Sequence, residues 1–293
     1  MLNLDRTIRI LFCGVVSLAV SVPLHFLGLA DARLFFPGAW LLSTCFYAIV
    51  ANLRVPESGK AVLVTGCDSG FGQGLAIRLR QLGFRVFAGC LKADAAGEGA
   101  ERLRRLFSDR MHVLQLDITK EEEVSGALHE IKRILPGSGR IVNVTSVEGR
   151  MAGPLVSAYD LTKFAMEGFS DSLRHEMRRF GVNVCLVEPG NFTAGTNLNT
   201  DEAVVRFAEE MWCAMDDDVK LTYGKQHFND VVSSRMLVNR SGETDVTPAI
   251  EAMVDALTQR FPQARYIPMG LDLYLKMLVA EHLPEWVRDH FFV

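Results

Sequence analysis

Residues 10–30 contain no Asp, Glu, Lys or Arg, and after Asp31-Ala32-Arg33 residues 34–53 are free of them again. Each run matches the ~20 residues that a helix needs to cross the hydrocarbon core of a bilayer. So short an interruption leaves room only for a tight turn, and two crossing helices would form a hairpin with both outer ends on one side. Arg6 and Arg9 precede the first run, and Arg54 and Lys60 follow the second. The positive-inside bias then puts both ends, and everything beyond them, on a cytosolic or matrix-like face. Pro23 and Pro37 can kink such helices without forbidding them. A cleaved signal has a shorter apolar region and an import presequence lacks acids, so Asp5 and two long runs fit neither. Residues 1–55 are therefore expected to be a membrane anchor of one or two transmembrane helices. Residues 56–293 form a second unit behind the polar linker 54–60.

The remainder is ordinary globular sequence. Of 293 residues 49% are hydrophobic and 23% charged, which excludes disorder, and a formal net charge of -4 argues against nucleic acid as a partner. None of the 6 cysteines is spaced C-x-x-C, so they read as free thiols in a reducing compartment. The 7 histidines are scattered without an HExxH, which leaves a metal site unsupported.

From residue 61 onward, short apolar runs alternate with amphipathic stretches. Strands are expected at 61–65, 85–90, 111–116, 140–145, 182–187 and 265–267, with helices at 71–82, 98–107, 121–135, 158–180 and 247–260. Repeated strand–helix–strand units mean an α/β fold, a Rossmann-like doubly wound parallel sheet with helices on both faces. Residues 198–240 read as a mostly helical insertion, a substrate lid. Residues 271–293 form an apolar C-terminal extension that packs on the core or lies on a membrane surface.

Two motifs carry chemistry. Thr65-Gly66-Cys67-Asp68-Ser69-Gly70-Phe71-Gly72 follows the first strand and opens a helix. Gly66 permits the tight turn, Gly70 lets backbone approach a pyrophosphate, and Gly72 allows close packing of helix on strand, with the helix N-terminus facing the phosphates. Further on, Tyr159 and Lys163 lie four apart on one helix and project together, and Ser146 sits thirteen residues before the tyrosine at a strand end. A free tyrosine titrates near ~10. A neighbouring ammonium favours its phenolate, and Ser146 is placed to hydrogen-bond the reacting oxygen.

Together, TGxxxGxG and Ser-x12-YxxxK resemble the short-chain dehydrogenase/reductase family over residues 61 to about 270. "TGCDSGFG", "FAGCL", "GRMAGP", "EPGNF", "YGKQHF" and "RYIPM" are similar to the branch that oxidises retinol, hydroxysteroids and 3-hydroxybutyrate. The resemblance implies an NAD-linked oxidoreductase acting on a secondary alcohol, foremost (R)-3-hydroxybutyrate with acetoacetate as product, at the mitochondrial inner membrane or endoplasmic reticulum. Tyr159 would be the acid/base, Lys163 would hold the nicotinamide ribose and tune Tyr159, and Ser146 would orient the substrate. Gly66, Ser69, Gly70, Phe71, Gly72, Cys90, Asp117, Tyr159, Lys163, Pro189, Gly190 and Thr193 would line the cofactor. Lys92 is the cation nearest the end of the second strand, and without an arginine cluster to hold a 2′-phosphate NAD is favoured. Ala194 occupies a position that many relatives fill with threonine, for which Thr193 or Thr196 would substitute. For an anionic substrate the lid offers Lys220, Lys225 and His227. Residues 102–105 and 174–179 read as solvated helix faces, and Trp212 and Phe228 as lid packing.

One departure is large. The family carries an N-N-A-G strand and a long helix between the third strand and the catalytic serine. Here helix 121–135 runs through Pro136-Gly137-Ser138-Gly139 straight into strand 140–145. A strand–helix pair of roughly 50–60 residues with its loops is absent. Either strand 140–145 moves inward to pair with the first strand, or the sheet is left with a gap. The absent helix also contributes to the subunit interface of this usually homo-oligomeric family.

Overall fold

The computed structural model describes residues 4–29, 31–107, 110–132, 139–196 and 199–292. Both apolar runs are helices, α1 (Leu4–Phe26) and α2 (Ala32–Asn52), each long enough at ~1.5 Å per residue for a ~30 Å hydrocarbon core. Asp31 caps α2 by accepting Arg33 N–H at 2.9 Å. The two helices pack along a seam of small and hydroxyl residues. Trp40 Nε1 donates to the Ile10 carbonyl at 2.9 Å, across a notch left by Gly14. Ser17 Oγ lies 3.3 Å from Ser43 Oγ. Lipid offers no hydrophobic drive between helices, so close backbone approach and interhelical hydrogen bonds hold such a seam. Leu11, Phe12, Leu42 and Phe46 point outward and are exposed, an apolar surface suited to a bilayer.

Both outer ends of the hairpin return to one point on the following domain. Arg6 lies 3.5 Å and Arg54 2.6 Å from the Asp255 carboxylate. The backbone between them is laced to the same place, with Val55 N–H donating to Thr258 and Arg260 N–H to Leu53. The ends therefore lie on one side, as the sequence predicts.

In the following domain β1 (Ala61–Val64), α3 (Gly70–Gln81), β2 (Arg85–Cys90), α4 (Glu98–Leu106), β3 (Met111–Gln115) and α5 (Glu121–Lys132) come first. Then follow β4 (Arg140–Val144), α6 (Ser157–Met177), β5 (Asn183–Val187) and the short α7 (Thr193–Thr196). The lid is α8 (Asp201–Ala214) and α9 (Asp217–Arg240), the latter broken where Gly224 takes φ +74°. After α10 (Thr247–Thr258) and β6 (Arg265–Tyr266), the extension forms α11 (Leu271–His282) and α12 (Glu285–Phe292). The expected end of helix 121–135 beyond Lys132, the turn at 136–138, and Leu198 at the start of the lid lie outside the described residues.

Every strand pair is parallel, yet the strands form two sheets of three, β1–β2–β3 and β4–β5–β6. Lys60 C=O accepts from Arg85 at the edge of β2, and Thr145 N–H donates to Val187 of β5. Alternation along a strand then turns the main-chain groups of Ala61, Leu63, Val142 and Val144 the other way. Among the described residues no strand pairs with them there. Strand β4 has kept its register with β5 and has not moved inward, so the gap is the outcome. Leu63 and Val144 are each 37% exposed.

One core nevertheless serves both sheets. Val64, Leu75, Leu79 and Val86 share it with Cys185, Val187, Met253 and Ala256. Helix α10 spans the break, packing on α3 as well as on β4 and β5. Gly74 of α3 admits Ile250 of α10, and Arg78 pairs with Glu251 at 2.6 Å. Unpaired strand edges exchange with solvent faster than paired ones. Native-state hydrogen exchange should therefore find the Leu63, Val142 and Val144 amides at least ~10-fold less protected than those of Val86 and Leu186. Equal protection would mean that the edges are paired.

Candidate active site

The turn after β1 is shaped to receive an anion. Gly66 and Gly70 adopt positive φ (70° and 57°), and a Cβ on Gly72 would collide with the Gly66 carbonyl oxygen. Ser69 is the N-cap of α3 but its side chain makes no capping bond, and the first turn holds no acid. By contrast α4 and α5 open with Glu98 and Glu101, and with Glu121, Glu122 and Glu123. The positive end of α3 is thus left uncompensated, which fits the pyrophosphate of a dinucleotide. Beside it lies a cleft of about 380 Å³ whose lining includes Ser69, Gly70, Gln73, Gly99, Arg102 and Thr196. Arg102 is not simply solvated, as expected from its charged helix; its Nη1 donates to Gln73 Oε1 at 3.1 Å and faces this cleft.

The end of β2 is closed by a side chain that sequence reasoning assigned no role. The Asp68 carboxylate accepts N–H groups from Leu91 (2.7 Å) and Lys92 (3.2 Å). Cys90 places only backbone there, because its side chain is fully buried and burial pushes the thiol up to about 11. Asp117 accepts both the N–H and the hydroxyl of Thr119, at 3.0 and 2.7 Å, which holds its carboxyl below the usual range.

Ser146 follows β4, is buried, and accepts the Glu148 N–H on its Oγ at 3.2 Å. The next residue ties this turn to the Pro189-Gly190 loop, since Val147 N–H donates to the Pro189 carbonyl at 3.0 Å. Phe192 of that loop meets Phe71 of the glycine-rich turn edge-to-face at 5.8 Å, joining the two motifs. Gly190 N–H donates to Pro268, and Met269 and Leu273 crowd the place a Cβ would occupy. Thr193 starts α7, its N–H held by Asn191 Oδ1, while Thr196 reaches the cleft that Gly70 lines.

Tyr159 and Lys163 share a face of α6, the ammonium 5.4 Å from the centre of the tyrosine ring. Burial lowers the Lys163 pKa. Its Nζ donates to the Val144 carbonyl at 3.3 Å, one of the groups on the open edge of β4. Tyr159 is 45% exposed, and among the described residues its hydroxyl has no hydrogen-bond partner, Ser146 included.

Below the site lies a charge network. Glu188, fully buried, directly follows strand β5 and pairs with Arg150 and Arg265, each at 2.8 Å. Arg150 also pairs with Glu281 of α11, and Arg265 with Glu167 and Asp171 of α6. Burial and Glu167 raise the Glu188 carboxyl against the pull of the two guanidiniums. The signal in the sequence was a lone acid directly after the apolar run Val184–Val187.

In the lid, Trp212 and Phe228 pack at 5.1 Å as expected. Lys225 is not a free cation for substrate: its ammonium lies 4.2 Å from the Trp212 ring centre and 4.8 Å from that of Phe228. Lys220 is 3.6 Å from Asp217, and His227 stacks on Tyr223. Among the described residues no cluster of His, Cys, Asp or Glu is arranged for a metal.

Such a fold and site define a nucleotide-dependent oxidoreductase of the α/β class. The short chain dehydrogenase family profile matches residues 60–137 and 134–204. D-beta-hydroxybutyrate dehydrogenase, mitochondrial, of Rattus norvegicus is 37% identical over 289 residues, covering 80% of this chain and 84% of the relative. Retinol dehydrogenase 5 of Homo sapiens is 32% identical, covering 85% and 94%. A short chain dehydrogenase/reductase from Burkholderia phymatum, crystallised with NAD, has a TM-score of 0.57 at 17% identity, covering 80% and 97%. The chain belongs to the short-chain dehydrogenase/reductase family, whose members here are oxidoreductases using nicotinamide cofactors. The comparison also locates the break. Of 289 aligned positions, 80% of 293 residues fills about 234, so about 55 have no counterpart in this chain. The two profile matches meet at 134–137, between α5 and β4.

Replacing Gly72 with Ala should abolish dinucleotide binding in a fluorescence titration and cost ~1–3 kcal/mol of stability, as overpacking does. Unchanged affinity would mean that this turn is not the phosphate cradle.

Proposed function

We propose that the chain oxidises a secondary alcohol with NAD, (R)-3-hydroxybutyrate being the substrate and acetoacetate the product. The supporting observation is the convergence of the uncapped α3 N-terminus, Ser146, and the Tyr159–Lys163 pair, held together by Phe71–Phe192 and Val147–Pro189. The amides of Gly70, Phe71 and Gly72 hold the pyrophosphate, with Ser69 and Thr196 beside them. Asp68 at the end of β2 is unfavourable to a 2′-phosphate, which supports NAD over NADP. When bound, the nicotinamide supplies the hydride acceptor. Tyr159 Oη takes the hydroxyl proton of the substrate, with the Lys163 ammonium beside its ring, and Ser146 donates to the same oxygen. Pro189, Gly190 and Thr193 wall the nicotinamide end, and Asp117 and the Cys90 backbone the adenine end. The hairpin carries this site at a membrane, the mitochondrial inner membrane or the endoplasmic reticulum.

A second substrate class has its own support. Lid helix α8 exposes Val205, Phe207 and Met211, while Lys220 and Lys225 are engaged by Asp217 and by aromatic rings. Such a lid suits retinol or a hydroxysteroid. Turnover of hydroxybutyrate, retinol and androgen by the purified full chain in lipid vesicles separates the two.

The gap lowers the rate. Lys163 spends its hydrogen bond on Val144, and Tyr159 lacks a partner, so the groups are not set for proton transfer. A ~1 Å misplacement already costs ~10²-fold. With NAD and 3-hydroxybutyrate, kcat should be at least ~10²-fold below that of the intact rat relative; a near-equal kcat would overturn this. Changing Tyr159 to Phe should remove ~10²-fold or more of whatever turnover remains while NADH still binds. Loss of both would assign Tyr159 a structural role instead.

A further inference from the structure

Two acids stand beside the reacting groups and are not used by the reaction described above. Glu148 lies in the helical turn Val147–Gly149, two residues after Ser146, and its own N–H holds the Ser146 hydroxyl. Asp160 follows Tyr159 in the first turn of α6 and is 5% exposed. The Glu148 carboxylate lies against the loop that joins them, its Oε2 3.5 Å from the place a Cβ on Gly153 would occupy. Asp160 Oδ2 also accepts the Gly153 N–H at 3.1 Å, so the connecting loop folds over the pair. Glu148 Oε2 and Asp160 Oδ1 are both buried, and no N–H or O–H from another group reaches either among the described residues.

Carboxylate oxygens only accept. Two carboxyl groups in contact are bonded only when one of them carries a proton, and both ionised they repel. We propose that Glu148 and Asp160 share one proton, and that this acid pair is a positioning device that fastens the Ser146 turn to the Tyr159 end of α6. The proposal rests on the reading of Ser146 and Tyr159 as reacting groups, but its central claim, the shared proton, does not.

The charged surroundings are few. Asp160 acts from α6, and the Arg235 guanidinium of α9 acts from the lid side. Arg150, next but one to Glu148, is engaged by Glu188 and Glu281, and the Lys163 ammonium by Val144. Burial and Asp160 raise the Glu148 pKa to about 7, and Arg235 only partly opposes them. A carboxyl raised in the folded state binds more protons folded than unfolded. Its contribution to stability is therefore fully present below the ordinary carboxyl pKa and is lost as pH rises toward 7.

The test uses the full chain in lipid vesicles and two readouts that need no turnover. Infrared difference spectra between about pH 5.5 and pH 8.5 should show a buried protonated carboxyl lost near pH 7. Over the same range the unfolding temperature should fall in a step. Glu148→Gln, whose amide donates to Asp160 at every pH, should lose both the band and the step while remaining folded. Asp160→Asn should do the same from the other side. Glu148→Ala should lose the band and lower the unfolding temperature at all pH values, with Gln but not Ala rescuing it. A band and step retained in Glu148→Gln, or removed only by Glu188→Gln, would overturn the proposal. Where turnover is measurable, its alkaline limb near pH 7 should flatten in Glu148→Gln. A flattened step in stability without any turnover in the parent chain would leave the acid pair standing and the proposed reaction fallen.

Discussion

The packing of α10 against α3 is the contact on which the whole domain depends. With no strand between β1 and β4 among the described residues, the hydrogen-bond ladder that would run through the middle of the sheet is broken, and the two halves are joined by side chains. Ile250 in the notch at Gly74, the Arg78–Glu251 pair and the shared cluster around Leu79, Val187 and Met253 provide that joint. Hydrophobic packing is not directional. It keeps the halves together while fixing their relative height less sharply than a ladder would. The glycine-rich turn belongs to one half, and Ser146, Tyr159 and Lys163 to the other, so any looseness in the joint falls between the proposed cofactor cradle and the proposed reacting groups.

The two halves differ in how they are stiffened. On the α3 side the turn is built from backbone: Cys67 N–H on Gly89, Asp68 on the amides of Leu91 and Lys92, and the contact of Gly72 with Gly66. On the β5 side charged groups do the work. Glu188, Arg150 and Arg265 connect the Ser146 turn, the end of β5, β6, α6 and the C-terminal α11. An internal ion network of this kind has partners on every side, so removing one member leaves another charge buried and unpaired. The apolar extension is thereby wired to the turn that holds the serine.

Most strand and helix positions were readable in the sequence, because strands buried on both faces are continuous apolar runs, and β5 (burial unbroken from Val184 to Val187) is a clear case. The glycine-rich turn and the Tyr159–Lys163 face were readable because their spacing is local. The absence of about one strand and one helix was readable by counting residues between α5 and β4. Which way the sheet would respond was not. That outcome depends on five register pairs between β4 and β5, reinforced by α6, against a single new edge with β1. Equally hidden were the contact of Lys225 with Trp212 and the partners of Asp68 and Glu148, since each pair joins two elements that no period connects.

The hairpin ends have a mechanical consequence. Arg6 and Arg54 grip the same carboxylate, Val55 is stitched to Thr258 at the end of α10, and Leu53 to Arg260 just beyond that helix, which bridges the two half-sheets. The anchor is thus fastened to the keystone of the domain and not to a loose linker. Any tilt of the hairpin in a bilayer is delivered to α10 first, and through it to both halves at once. On the proposed placement of the hairpin in a bilayer, membrane thickness and lateral pressure become terms in the geometry of the proposed site beyond it.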